Sequence, residues 1–180
     1  MHKLNLRSIA SAQKLTLLIL VAAVTASAGV LLLTPGSGVT ATTPARARFV
    51  APTDIKFKVK GGAQEVIHVP DAAETVMHQI TIQPAVNNGG VIGTTGWHSH
   101  PGPVVVLITA GEMSFYDSDD PTCTVRTYIA GQAFVDSGQG HVHIARNEGT
   151  VPLVLSATYF DVPPGGAFRL DVPAPGNCPF

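Results

Sequence analysis

Residues 93–112, GTTGWHSHPGPVVVLITAGE, set two histidines, a tryptophan and two prolines against an unbroken apolar run. Alternate residues of a strand share a face, so a strand here would project His98 and His100 toward the interior that Val104, Val106 and Ile108 also face. Two imidazoles aimed into apolar surroundings are costly unless a bound metal or a hydrogen-bond network satisfies them. Whatever fold the chain adopts must supply one or the other.

The rest of the sequence is punctuated in the same way. After residue 49, short β-prone runs (IKFKVK, EVIHV, ETVMHQITIQ, VVVLITAGEMSFY, TVRTYIA, QAFVD, HVHIAR and PLVLSATYFDV) alternate with turn clusters, and no long stretch has the period of a helix. Charged residues make up only 13% of the chain while Gly and Pro number 18 and 14, which suits strands joined by tight turns. IKFKVK alternates apolar residues with Lys, the mark of a strand with one solvated face. The expected fold class is all-β, a closed barrel or jelly roll, in one domain from Phe49 to Phe180.

The N-terminus reads differently. Lys3, Arg7 and Lys14 precede LTLLILVAAVTASAGVLLL, an uncharged run over residues 15–33 that is near the roughly 20 residues a membrane-spanning helix needs. All twelve acidic residues follow Phe49. Basic flank first and acidic body last predicts an N-terminus inside and a domain outside the membrane. Small-residue sites at Ala26-Ser27-Ala28 and Ala45-Arg46-Ala47 suit cleavage of a signal peptide, and the long apolar run equally suits an uncleaved anchor. Residues 34–48, TPGSGVTATTPARAR, lack apolar periodicity and read as a linker. An acidic body without a basic stripe argues against nucleic acid as a partner. Cys123 and Cys178 are free to pair in an oxidising compartment, tying the chain's end to a mid-domain loop; neither lies in a CxxC pattern.

Six histidines follow the targeting segment, and four form two His-x-His units, His98/His100 and His141/His143. Neighbouring strands would let three or four ring nitrogens converge on one cation, a donor set suited to Zn, Fe, Mn, Cu or Ni. A satisfied polar core is the other outcome. His78 shares parity with Val76, Ile80 and Ile82 and is expected to be a buried, hydrogen-bonded histidine. Trp97 suits either a pocket wall or the core.

GTTGWHSHPGPVVVLITAG followed by GQAFVDSGQGHVHIARNEG resembles the two motifs of the cupin superfamily, small double-stranded β-helix barrels. His98, His100 and Gly111 match the first motif, with Gly93 one residue late. Gly131, Gly140, His143 and Asn147 match the second with one extra residue before its turn, where Ser137 or Gly138 replaces a proline. The resemblance covers roughly residues 75–162 and is similar in wording to small exported single-domain cupins. It implies that His98, His100 and His143 are metal ligands. The family's usual glutamate is absent, since Val104 or Val105 occupies its place, and the nearest acid, Glu112, is expected in the following turn. Some cupin oxygenases use three histidines without that acid, and other cupins have lost metal.

Two function classes follow from the resemblance: a metal-dependent cupin oxygenase or isomerase, and a non-catalytic module that binds a small-molecule ligand. An enzyme needs a proton-transfer group beside the metal, and His141 is the candidate. Assembly of several copies is compatible with either.

Overall fold

The computed structural model describes residues 33–60 and 66–180. Most of the apolar run read as a membrane-directed helix lies outside them, and among the described residues no helix is long and apolar enough to cross a membrane.

The described chain is all-β, as its alternation predicts. Its strands are β1 (Val39–Arg48), β2 (Ile55–Lys58), β3 (Val66–Val69), β4 (Glu74–Ile82), β5 (Gly93–Thr94), β6 (His98–Ser99), β7 (Val104–Ala110), β8 (Glu112–Asp117), β9 (Arg126–Ile129), β10 (Ala133–Asp136), β11 (His143–Asn147), β12 (Leu153–Val162) and β13 (Leu170–Asp171). One sheet has the order β1-β4-β12-β7-β10; the other has β13-β6-β11-β8-β9, with β5 also paired to β11. β2 and β3 form a separate ribbon. Glu112 opens β8 instead of sitting in a turn.

The core between the two larger sheets is built by period-two burial. β12 turns Leu153, Leu155, Ala157 and Tyr159 inward, and β7 does the same with Val104, Val106 and Ile108. Met113, Phe115 and Ala145 meet them from the opposite sheet. A slip of one residue would expose every one of these side chains, the larger apolar ones each worth about 1.5–3 kcal/mol when fully buried, so the pattern sets the register. Gly111 divides VVVLITAGEMSFY into two strands because its φ of +73° suits glycine and a Cβ there would lie 2.5 Å from the Pro152 carbonyl oxygen.

The expectation of a linker over residues 34–48 is corrected. β1 pairs antiparallel with β4, with a register shift between Thr42 and Ala45. All ten of its residues are exposed, which is why no apolar period betrays it. Backbone pairing and Arg46 hold it: Nε of Arg46 donates to Glu74 at 2.7 Å, and its other nitrogens donate to the carbonyls of Gly166 and Pro163. Upstream, Ser37 and Thr94 exchange backbone hydrogen bonds, so the folded unit extends to residue 33 and does not begin at Phe49.

A second apolar cluster lies apart from the main core. Trp97, fully buried, packs there with Tyr116, Ile144 and Cys178, so it is a core residue and not a wall of the central cavity. Cys123 and Cys178 are disulfide-bonded across 55 residues of sequence. The chain-entropy relation credits a closure of that length with about 4 kcal/mol, and native strain normally takes part of it. Cys123→Ser is therefore expected to lower unfolding free energy by about 2–4 kcal/mol. Denaturant unfolding with and without reductant checks this; reduction that leaves the wild-type midpoint unmoved would contradict it.

Candidate metal centre

Strand register brings the two His-x-His units together. His143 on β11 is the direct cross-strand partner of His98 on β6, so their side chains share a face. His100 follows two residues on, where Pro101 and Pro103 begin a turn that leads away from the ladder. The ring centroids of His98 and His143 are 4.5 Å apart, those of His98 and His100 4.8 Å, and those of His100 and His143 5.2 Å. One ligand atom from each lies within 4.8 Å of the others, and all three residues are buried. Two loops hold this mouth shut. Gly140 donates its N–H to the His100 carbonyl at 3.1 Å, and a Cβ on Gly138 would fall 1.8 Å from the Gly102 oxygen, so a side chain at 138 cannot be accommodated without moving the turn.

Hydrogen bonding assigns two tautomers. His98 Nδ1 lies 2.8 Å from the Gly96 carbonyl oxygen and His100 Nδ1 lies 2.7 Å from that of Phe168. A carbonyl only accepts, so both Nδ1 atoms carry the proton and both Nε2 atoms keep a lone pair. His143 Nδ1 is buried with no hydrogen-bond partner among the described residues; the nearest acid, Asp136 Oδ1, is 3.6 Å away. Burial lowers the pKa of all three imidazoles, that of His98 well below its usual value and that of His100 to about 4. At neutral pH the cluster is three neutral, deprotonated-nitrogen donors in one small space, which is the chemistry a divalent transition metal requires of histidine.

The cavity before these rings is small, about 50 Å³, and mostly apolar. Phe115 stacks on His143 with centroids 4.9 Å apart, and the Tyr159 ring lies 5.0 Å from His100. Val104 faces this cavity and is buried. An acid that sequence reasoning missed faces it too. Asp136, on β10, is the cross-strand partner of Val104. The β7–β10 register brings this carboxylate to the cavity, a relation not visible in the sequence.

His141 stands behind Asp136. Its Nδ1 is 3.2 Å from Asp136 Oδ1, and its Nε2 is 3.3 Å from Asp117 and 3.7 Å from Asp119. The bond to Asp136 raises the His141 pKa. Burial by itself would push the Asp136 carboxyl up, yet the adjacent histidines outweigh it and hold the group at about 2. Among these, His143 acts most strongly, followed by the hydrogen bond from His141. His141 is therefore a partner of the acid behind the ligand cluster and not a lining residue of the cavity, among the described residues.

The remaining candidates are structural. His78 Nε2 is 2.5 Å from Thr43 Oγ1, and its ring packs on Phe168, as expected of a buried, satisfied histidine. Asn147 donates from Nδ2 to the carbonyls of Ile82 and Val151, both at 2.8 Å, and so clamps the end of β11.

No protein-family model and no curated protein matches the chain. Solved structures to which it is similar are cupin or double-stranded β-helix proteins. A protein with a double-stranded β-helix domain from Klebsiella pneumoniae is 20% identical over 54% of this chain and 74% of that one, with a TM-score of 0.42. A cupin-like protein from Thermotoga maritima is 21% identical over 47% of this chain and 55% of that one, with a TM-score of 0.38. A cupin domain from Bordetella pertussis is 13% identical over 69% of this chain and 95% of that one, with a TM-score of 0.43. The site rests on the chain's own residues.

Proposed function

We propose that residues 33–180 form a cupin that binds one divalent transition metal through His98, His100 and His143. The observation that carries this reading is the convergence of three buried imidazoles, two of which donate Nδ1–H to fixed carbonyls and keep Nε2 for a ligand bond. Three neutral imidazoles favour Zn, Fe, Ni or Cu; the hard ion Mn would gain from a carboxylate ligand. A bound divalent ion supplies Lewis acidity and open positions for a small ligand.

The chain's own groups do the rest. Phe115, Val104 and Val106 keep the cavity apolar, and the Asp136 carboxylate lies 3.6 Å from Nδ1 of His143. For turnover, the titratable groups facing the cavity are not tuned for proton transfer, since Asp136 is held ionised, its pKa at about 2, and burial raises the Tyr159 hydroxyl well above its ordinary value. His141, bonded to Asp136, stays the proton-transfer candidate. A binding module without turnover is the second reading, favoured by the size of the cavity, which beside a metal leaves room for only a small ligand group. Export of the domain, as a secreted or membrane-anchored protein, is supported by the basic N-terminal flank and by the Cys123–Cys178 disulfide, which belongs to an oxidising compartment. Protease added outside intact cells tests the location.

Zinc titration of chelator-stripped full-length protein tests the metal reading, with one equivalent per chain expected and no uptake overturning it. The pH dependence is a second expectation. Because burial lowers all three folded-state histidine pKa values, the unfolded chain takes up protons near pH 6.5 while the folded one does not until much lower, about 4 for His100. Stability of the metal-free protein is thus complete above about pH 7 and is lost as pH falls toward 4. His141, whose pKa is raised, acts in the opposite sense, one group against three. A falling denaturation midpoint from pH 7 to pH 5 is expected; a flat profile would show that the cluster is not buried neutral.

A further inference from the structure

A second chamber of about 290 Å³ opens beside the metal centre. Ile80, Thr95, His98 and Tyr159 line both it and the inner cavity, so the chamber reaches one member of the histidine cluster, His98. Arg169 is the one permanently charged cation lining it among the described residues. Its guanidinium is held in place: Nε donates to Asp171 Oδ1 at 2.6 Å, Nη2 lies 2.6 Å from the same oxygen, and Nη2 also donates to the Thr95 carbonyl. Nη1 has no hydrogen-bond partner among the described residues, and neither has the Tyr159 hydroxyl. A fixed guanidinium with an open edge, beside an uncommitted phenol, is a recognition element for an oxyanion.

Asp171, which also lines the chamber, takes the Nε and Nη2 side of Arg169 and leaves Nη1 uncommitted. We infer that the chamber takes a small organic acid, whose carboxylate meets Arg169 and Tyr159 and whose second oxygen donor reaches the histidine cluster. This rests on the metal-binding reading for the second donor and on Arg169 and Tyr159 for the first.

Isothermal titration of full-length protein, zinc-loaded and zinc-free, with malonate, succinate and glutarate and with their neutral diamides tests the inference. At least one of the acids is expected to bind the zinc-loaded protein tenfold or more tightly than its diamide. Arg169→Gln is expected to remove that tenfold preference, and Arg169→Lys to restore part of it, while both variants keep one equivalent of zinc and a wild-type unfolding midpoint. If no acid outbinds its diamide, or if Arg169→Gln leaves the preference intact, the inference is overturned whatever the zinc result. A wild-type protein that takes up no zinc yet still prefers an acid through Arg169 would defeat the metal reading and leave the chamber's anion site standing. Should Arg169→Gln fail to fold, a reduced acid preference in a folded Arg169→Lys or Tyr159→Phe supports the site, and its full retention in both overturns it.

Discussion

Full-length protein carrying His143→Ala is expected to take up no stoichiometric zinc. Loss of His143 leaves two donors on one short stretch, and two imidazoles cannot hold an ion that ordinarily demands three protein ligands. It also removes the ring on which Phe115 stacks, so the cavity widens where the ligand bond was. Asp136→Asn is the graded control. It keeps the three ligands and removes the negative charge 3.6 Å from Nδ1 of His143, so affinity is expected to fall without loss of stoichiometric uptake. His78→Ala should leave zinc uptake intact, because that ring lies outside the cluster and bonds to Thr43. Retention of one equivalent of zinc by His143→Ala would refute the ligand assignment.

The second large effect is on stability. Trp97→Ala is expected to lower unfolding free energy by about 3–5 kcal/mol, the usual cost of deleting a large buried aromatic. Trp97 is fully buried among Tyr116, Ile144 and Cys178, and its backbone N–H donates to Thr34 Oγ1 at 2.8 Å. Its indole Nε1 is buried without a partner among the described residues, so Trp97→Phe discards an unsatisfied donor along with some contact area and should cost clearly less than Trp97→Ala. Denaturant unfolding of both variants checks the order. Equal losses would mean that side-chain volume at this position is not what stabilises the cluster.

The core strands were legible because they alternate. β4, β7 and β12 turn one face to a shared interior, and that period is written in their residues. β1 was not, since a wholly exposed strand has no inward face to mark it. The histidine pairs were legible as a pair of pairs, but their sequence does not say which member of HVH turns inward. The pairing of His143 with His98 decides that, and leaves His141 in the preceding turn among three acids. Asp136 escaped notice for a related reason. In QAFVD it is an ordinary strand-ending acid, and only its position opposite Val104 brings it to the histidine cluster.

The strand order carries a consequence for how the chain reaches this state. β12 lies between β4 and β7, so the two earlier strands are not neighbours and cannot complete their sheet until residues 153–162 have been synthesised. β6, which carries His98, likewise waits for β11 on one side and β13 on the other. A growing chain therefore exposes unpaired apolar strands until nearly its whole length is available, and folding through such distant pairings is slow and open to aggregation. Truncation before β12 should yield insoluble material, with no smaller barrel to fall back on. The same dependence makes completion of the C-terminus the event that licenses the whole domain.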